Sequence, residues 1–333
     1  MSGAGGRRDA EGRRNATLRY RPVGPDELET CAHIWRRSID DYILPLGQPA
    51  LPEDVGPLVR LYRHLQSTDP ERFVAAVEDA PDEPGGERIV AFGVAAVRDG
   101  LWHLSMLFVL PEWQGAGIGR AILDRIGPHD GDGVTARATA TDSAQPISNA
   151  LYASLGIVPR IPLLNLVGTP SSTDAFGPLP GGVRALTFEE LAAGPAGGDG
   201  HRRLVEVVDD LDRELLGATH PVDHRWLRQE GRTGFLYIGP GGHAIGYGYA
   251  GESGRVGPIA VRDEDLLAPV VGHLLATVPA RGAHALWLPG TADRAVVPAL
   301  RSGLRLESFP ILLCWDRPFA DWARYLPISP GLL

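Results

Sequence analysis

The second half of the chain repeats the first. The stretch YASLGIVPRIPLLNL around Gly156 reads like ALRSGLRLESFPILLCW around Gly303, 147 residues further on. VRALTFEEL from Val183 likewise echoes LRYRPVGPDEL from Leu18. Solenoid repeats run to only ~20–50 residues, so a period this long predicts two copies of one globular fold. The 333 residues suffice for that at ~100–200 per domain. Within the first copy, TLRYRPV alternates as a strand, and PDELETCAHIWRRSI opens with Pro and acids before a helical period. A helix over 53–66, strands over 71–78 and 88–98, and the strand LWHLSMLFVLP follow. QGAGIGRAILDRIG is expected as a helix, VTARATA as a strand, QPISNALYASLG as a helix and 158–167 as a closing strand, giving the order β-α-α-β-β-β-α-β-α-β. In the second copy helices are expected over 201–217, 264–278 and 292–302, and strands over 234–239, 243–251, 254–261 and 283–288. TPSSTDAFGPLPGG, within 169–182, reads as a linker, and residues 1–16 as a disordered leader.

Composition narrows the function. There is no lysine, which removes P-loop lysines and lysine Schiff bases. A formal charge of −9 disfavours a binder of nucleic-acid backbones. Cys31 and Cys314 are the only cysteines and form no C-x-x-C pattern, so no thiolate metal site is implied and a reducing cytoplasm fits best. Neither a signal peptide nor an apolar run of ~18 residues is present, so membrane spanning and secretion are not expected. No metal is expected either.

The most informative stretch is Val109-Leu110-Pro111-Glu112-Trp113-Gln114-Gly115-Ala116-Gly117-Ile118-Gly119-Arg120, set between a strand and a helix. Glycines let the backbone turn tightly there, and several N–H groups then converge at the positive end of a helix, an arrangement suited to pyrophosphate. A glycine turn that merely eases helix–strand packing is the plainer reading. A dinucleotide fingerprint is disfavoured, although Asp142 lies roughly where its ribose acid belongs. The glycines read G-x-G-x-G, PEWQ intervenes after the strand, and three strands precede the motif.

These residues resemble the GNAT superfamily of N-acyltransferases, whose signature Gln/Arg-x-x-Gly-x-Gly/Ala follows a strand ending in Val-x-Pro. Gln114 to Gly119 match it at every defined position, and a helix carrying Asn149 and Tyr152 follows. The resemblance implies an α/β (α+β) fold of two tandem GNAT-like domains, each a mixed, mostly antiparallel sheet flanked by helices. It places a catalytic acetyl-CoA-binding domain at 17–168 and a degenerate GNAT-like domain at 183–333. The cosubstrate implied is acetyl-CoA or another acyl-CoA. Its pyrophosphate would lie on the main chain of Gln114, Gly115, Ala116, Gly117, Ile118, Gly119 and Arg120, and its pantetheine arm would pair along Leu107, Phe108 and Val109. Tyr152 would be the general acid for the departing thiolate, unless it is only a half-buried aromatic. Asn149 would hold the cofactor or else cap and turn the chain. For the base, His103 shares strand parity with Ser105, Leu107 and Val109 and would take the proton of the amine; Ser105, Glu112 or a water chain are alternatives.

The second copy departs from the pattern. Arg262-Asp263-Glu264-Asp265 replaces the glycine loop, and acids there repel a pyrophosphate. The positions matching Asn149 and Tyr152 are Val296 and Ala299. Asp209, Asp210, His220 and His224 read as a solvated charged surface. The expected activity is transfer of an acyl group, most simply acetyl, to a primary amine of a small molecule. A non-catalytic acyl-CoA sensor or scaffold is the alternative. Neither nucleic acid nor membrane is an expected partner, and monomer and homodimer are equally compatible.

Overall fold

The computed structural model describes residues 18–193 and 198–333; the leader expected over 1–16 lies outside them. By its contacts the chain divides into two compact units. One runs to Val97 and resumes over Trp102–Val134; the other takes Arg98–Leu101 and Thr135–Leu333.

In the first unit, strands β1 (Arg19–Pro22), β2 (Phe73–Asp79), β3 (Glu87–Arg98) and β4 (Leu101–Val109) lie side by side in chain order. The β1–β2 and β2–β3 pairs are antiparallel. Helices α1 (Leu28–Ile43), α2 (Gly56–Thr68) and α3 (Ile118–Ile126) cover them. β3 is buried from Ile89 to Ala96, on both of its faces. Phe92 meets Tyr62 of α2 with ring centroids 5.5 Å apart. A Cβ on Gly93 would sit 2.6 Å from Ile122 of α3, so glycine there lets helix and strand approach closely.

The other unit holds β5 (Ala136–Asp142), α4 (Pro146–Ala153), β6 (Val158–Gly168) and β7 (Arg184–Thr187). Helices α5 (Phe188–Ala192), α6 (Gly198–Leu215) and α7 (Pro221–Gln229) follow, then β8 (Arg232–Ile238), β9 (Ala244–Gly251) and β10 (Arg255–Val261). The chain continues through α8 (Leu267–Thr277), β11 (His284–Pro289), α9 (Asp293–Arg301), β12 (Arg305–Leu306), β13 (Ile311–Trp315) and β14 (Tyr325–Leu326). The expected order is thus present in both copies, with α7 and the two-residue strands β12 and β14 as additions that the sequence pattern did not show.

The spatial order is β5-β13-β6-β11-β10-β9-β8-β7. All these neighbours are antiparallel except β10 and β11, which run parallel. The closing strands of the two copies have therefore changed places. β13 of the second copy lies between β5 and β6 of the first, while β6 pairs with β11 of the second, from His284 opposite Gly168 to Pro289 opposite Leu163. Arg137 clamps the exchange: its N–H and its Nε each reach Asp316, both at 2.9 Å. This interleaving explains why 135–168 group with the C-terminal half rather than with the glycine loop.

α8 is apolar nearly all round and buried along its length, as a core helix must be. Phe176, from the segment read as a plain linker, is 3% exposed and packs on it; Gly272 makes the room, since a Cβ there would lie 2.6 Å from Phe176. Among the described residues no helix is long and apolar enough to cross a membrane.

Candidate functional site

β3 and β4 are joined by a two-residue turn, Asp99-Gly100, with φ of 44° and 84°. Such a turn sets Arg98 opposite Leu101. At the far end the Leu110 N–H donates to the Val90 carbonyl at 2.9 Å. Eight residues lead from Val90 to Arg98 and nine from Leu101 to Leu110, so β4 carries one extra residue, a bulge. The side chains agree. Trp102 Nε1 donates to the Ile126 carbonyl of α3, and Leu107 Cδ1 stands with Ile122 and Ile126 of the same helix around Gly93. Residues five apart point oppositely in a regular strand. Strand parity alone therefore does not decide whether His103 shares the face of Leu107 and Val109. His103 is not solvent-facing: it and Ser105 are buried in β4.

Past Leu110 the chain makes a short 3₁₀ turn, Pro111–Trp113, pinned by the buried Trp113. Gly115, Ala116 and Gly117 then stand exposed, and Gly115 and Gly117 have φ of 77° and 79°. Those values lie in the left-handed region that L side chains enter only at a cost. Gly117 is the N-cap of α3 and Ile118, buried, its first residue. The helix thus begins at Ile118 and not at Gln114, and the glycines form the approach to it. The first-turn N–H groups of a helix have no intrahelical acceptor and carry its positive dipole end. No acid lies in this first turn; Gly119 and Arg120 complete it.

Gln114 has a role that the motif alone did not show. Its Nε2 donates to the Val109 carbonyl at 3.1 Å, and Ser38 Oγ of α1 donates to the same oxygen at 3.1 Å. Both lone pairs of that carbonyl are filled, so the loop is tied to the strand and Val109 offers a ligand no acceptor. Arg37, beside Ser38, pairs with Glu112 at 3.1 Å. Neither Ser38 nor Arg37 had a sequence signal beyond its place on an amphipathic helix. Phe108 is half-buried, its ring 5.9 Å from that of Phe92.

Asn149 and Tyr152 belong to α4 in the second unit. Asn149 Nδ2 donates to the carbonyls of Asp142 (2.9 Å) and Gln145 (2.7 Å), which braces the turn between β5 and α4. Two acceptors fix which end of the amide is NH2. Its Oδ1 is buried and has no hydrogen-bond partner. Tyr152 is 5% exposed, and burial, reinforced by Cys314, raises its hydroxyl pKa well above the ordinary phenol value, so it keeps its proton at any working pH. Burial pushes the Cys314 thiol up to about 12 and raises that of Cys31 as well. Both cysteines therefore lack the thiolate character of a reactive nucleophile.

At the matching helix start of the second copy, Asp263 Oδ1 itself accepts the N–H of Asp265 at 3.0 Å, and Arg294 lies 3.2 Å from the Asp265 carboxylate. The anion position is filled by the chain's own acid. The histidines of this copy are not the solvated surface expected. His220 is 1% and His224 5% exposed, and both converge on Asp212, which is fully buried; Asp210 alone of the acids singled out is plainly exposed. Burial opposes the charge on Asp212, but the two imidazoles outweigh it and hold the carboxyl well below its usual range. Burial likewise opposes charging of His220, but the Asp212 and Asp223 carboxylates outweigh it and raise its pKa. Burial and the adjacent His220 lower that of His224.

Residues 69–156 match the family model of the acetyltransferase (GNAT) domain, a segment from the start of β2 through α4 that contains the glycine loop. A candidate acetyltransferase of Pyrococcus horikoshii has a similar fold, with a TM-score of 0.69 at 13% identity over 95% of this chain and 96% of its own. A GCN5-related N-acetyltransferase of Sphaerobacter thermophilus follows, with a TM-score of 0.56 at 17% identity over 92% and 98%. No curated protein matches the sequence.

Proposed function

We propose that this chain, whose residues 69–156 match the acetyltransferase (GNAT) domain, transfers an acyl group from acyl-CoA to the primary amine of a small molecule. The observation that carries the reading is the loop at 114–119: exposed at 115–117, turned by two left-handed glycines, free of acids, and opening α3. It offers a pyrophosphate main-chain N–H groups at the positive end of a helix.

The residues divide the chemistry as follows. The loop amides of Gln114 to Arg120 bind the donor's diphosphate and so position its thioester. Tyr152, kept protonated by burial, supplies the proton that the leaving thiolate needs. His103 takes the proton from the attacking ammonium. With both thiols buried and protonated, the amine attacks the thioester directly while both substrates are bound. Calorimetric titration with acetyl-CoA and with S-acetylpantetheine tests the donor assignment. The loop predicts measurable binding of acetyl-CoA and a loss of at least tenfold without the diphosphate; equal affinities would overturn it.

A further inference from the structure

We propose that Asp212, His220 and His224 form a closed binding site for one divalent cation, Zn2+ being the ion that this donor set suits best. Asp212 ends a turn of α6, His220 caps α7, and His224 lies one turn into it, so the i, i+4 spacing brings both imidazoles to one side of the helix start. Their ligand atoms all lie within 4.8 Å of one another. Asp212 Oδ2 is 2.8 Å from His224 Nε2 and 3.4 Å from His220 Nε2. Tetrahedral Zn2+ with bonds of ~2.0–2.1 Å separates its donors by about 3.4 Å, so the Asp212–His220 edge fits as it stands, the Asp212–His224 edge must open by about half an ångström, and the two stacked imidazoles must turn to aim both Nε2 atoms at the ion.

The outward atoms carry the argument further. Metal-binding groups are held by partners on the side away from the ion, and a histidine bound through Nε2 must keep its proton on Nδ1. Two of the three have such a partner, and the third faces a carboxylate beyond hydrogen-bond distance. Tyr247 Oη donates to Asp212 Oδ1 at 2.5 Å, and His224 Nδ1 is 3.0 Å from Tyr249 Oη. His220 Nδ1 faces Asp223 Oδ2 at 3.7 Å, and Arg98 grips that carboxylate at 2.9 and 3.1 Å. Hydrogen bonding alone leaves His220 poorly served. Its Nδ1 is buried with no hydrogen bond, and its Nε2 finds Asp212 and Tyr325 Oη only at 3.4 Å. An ion on Nε2 satisfies that nitrogen and directs the Nδ1 proton toward Asp223. Imidazole and carboxylate donors suit Zn2+; three protein donors leave the fourth tetrahedral position to a water, and the burial of all three residues keeps the ion away from substrate. The ion would tie the end of α6 to the start of α7.

Metal analysis of the full chain purified with Zn2+ in the medium tests this. About one Zn2+ per chain is expected; chelation should lower the melting temperature and added Zn2+ restore it, and Co2+ in its place should give the visible absorption of a four-coordinate ion. Tyr247→Phe should keep the ion with ~10–100-fold weaker affinity, while the exposed control Asp210→Asn should change nothing. A folded wild type that holds no stoichiometric metal, and whose melting temperature ignores both chelator and Zn2+, would overturn the proposal. So would a folded His220→Gln variant that retains a full equivalent.

Discussion

Replacing Gly117 by alanine and by aspartate separates backbone strain from charge at the loop. Gly117 sits at φ 79°, and a Cβ built there meets nothing within 4 Å, so packing contributes no cost. What remains is the left-handed backbone, about 1–2 kcal/mol for a non-glycine residue, or a few degrees of melting temperature. Aspartate bears the same strain but stands at the N-cap of α3, where its carboxylate accepts first-turn N–H groups and returns about 1 kcal/mol. Gly117→Asp should therefore melt at or above Gly117→Ala. Binding should run the other way. That carboxylate occupies the amides proposed for the diphosphate and repels it, by about 4 kcal/mol for unit charges ~4 Å apart at an effective dielectric near ~20. The loop is exposed and salt screens the pair, so the expected loss against Gly117→Ala is about 10–100-fold rather than the full ~10³-fold. Thermal melts and calorimetric titration with acetyl-CoA read both quantities. Equal acetyl-CoA affinity in the two variants would refute the reasoning, because it would place the diphosphate away from these amides.

Two further outcomes concern the chemical step. Tyr152→Phe keeps the ring and its packing, so donor affinity should hold while turnover falls by the ~10²–10⁴-fold of a general acid; a fall below about tenfold would show that the thiolate leaves without it. His103→Ala should leave the acceptor charged, so the missing rate should return as pH rises toward the amine's own pKa, whereas a pH–rate profile shaped like that of the wild type would remove His103 from the mechanism.

Much of the architecture was legible because it is local. The apolar periods of the first copy gave every element in order, and the 147-residue echo gave the second. The exchange of β6 and β13 was not legible, since nothing in IPLLNL or ILLCW says which copy's strand it will join. α7 was missed because HPVDHRWLRQE is polar, and its buried residues face a polar cluster. The same bias misplaced His220 and His224: a charged letter suggests water, and only the fold shows that Asp212, Tyr247, Tyr249 and Tyr325 surround them. At the loop the glycines were readable as backbone requirements. The bulge in β4 was not, because one extra residue leaves no mark on an apolar strand yet voids every argument from parity beyond it.

The central claim, that this chain turns over acyl-CoA, is tested most directly by following release of the CoA thiol from acetyl-CoA across a panel of primary amines. Cys31 and Cys314 are buried with raised pKa values, so a thiol reagent should meet almost no background from the native protein. Release that depends on an amine, saturates with it, and falls in Gly117→Asp at limiting acetyl-CoA is the predicted result. Tight acetyl-CoA binding with no release on any amine would contradict it and leave a donor-binding module that performs no transfer.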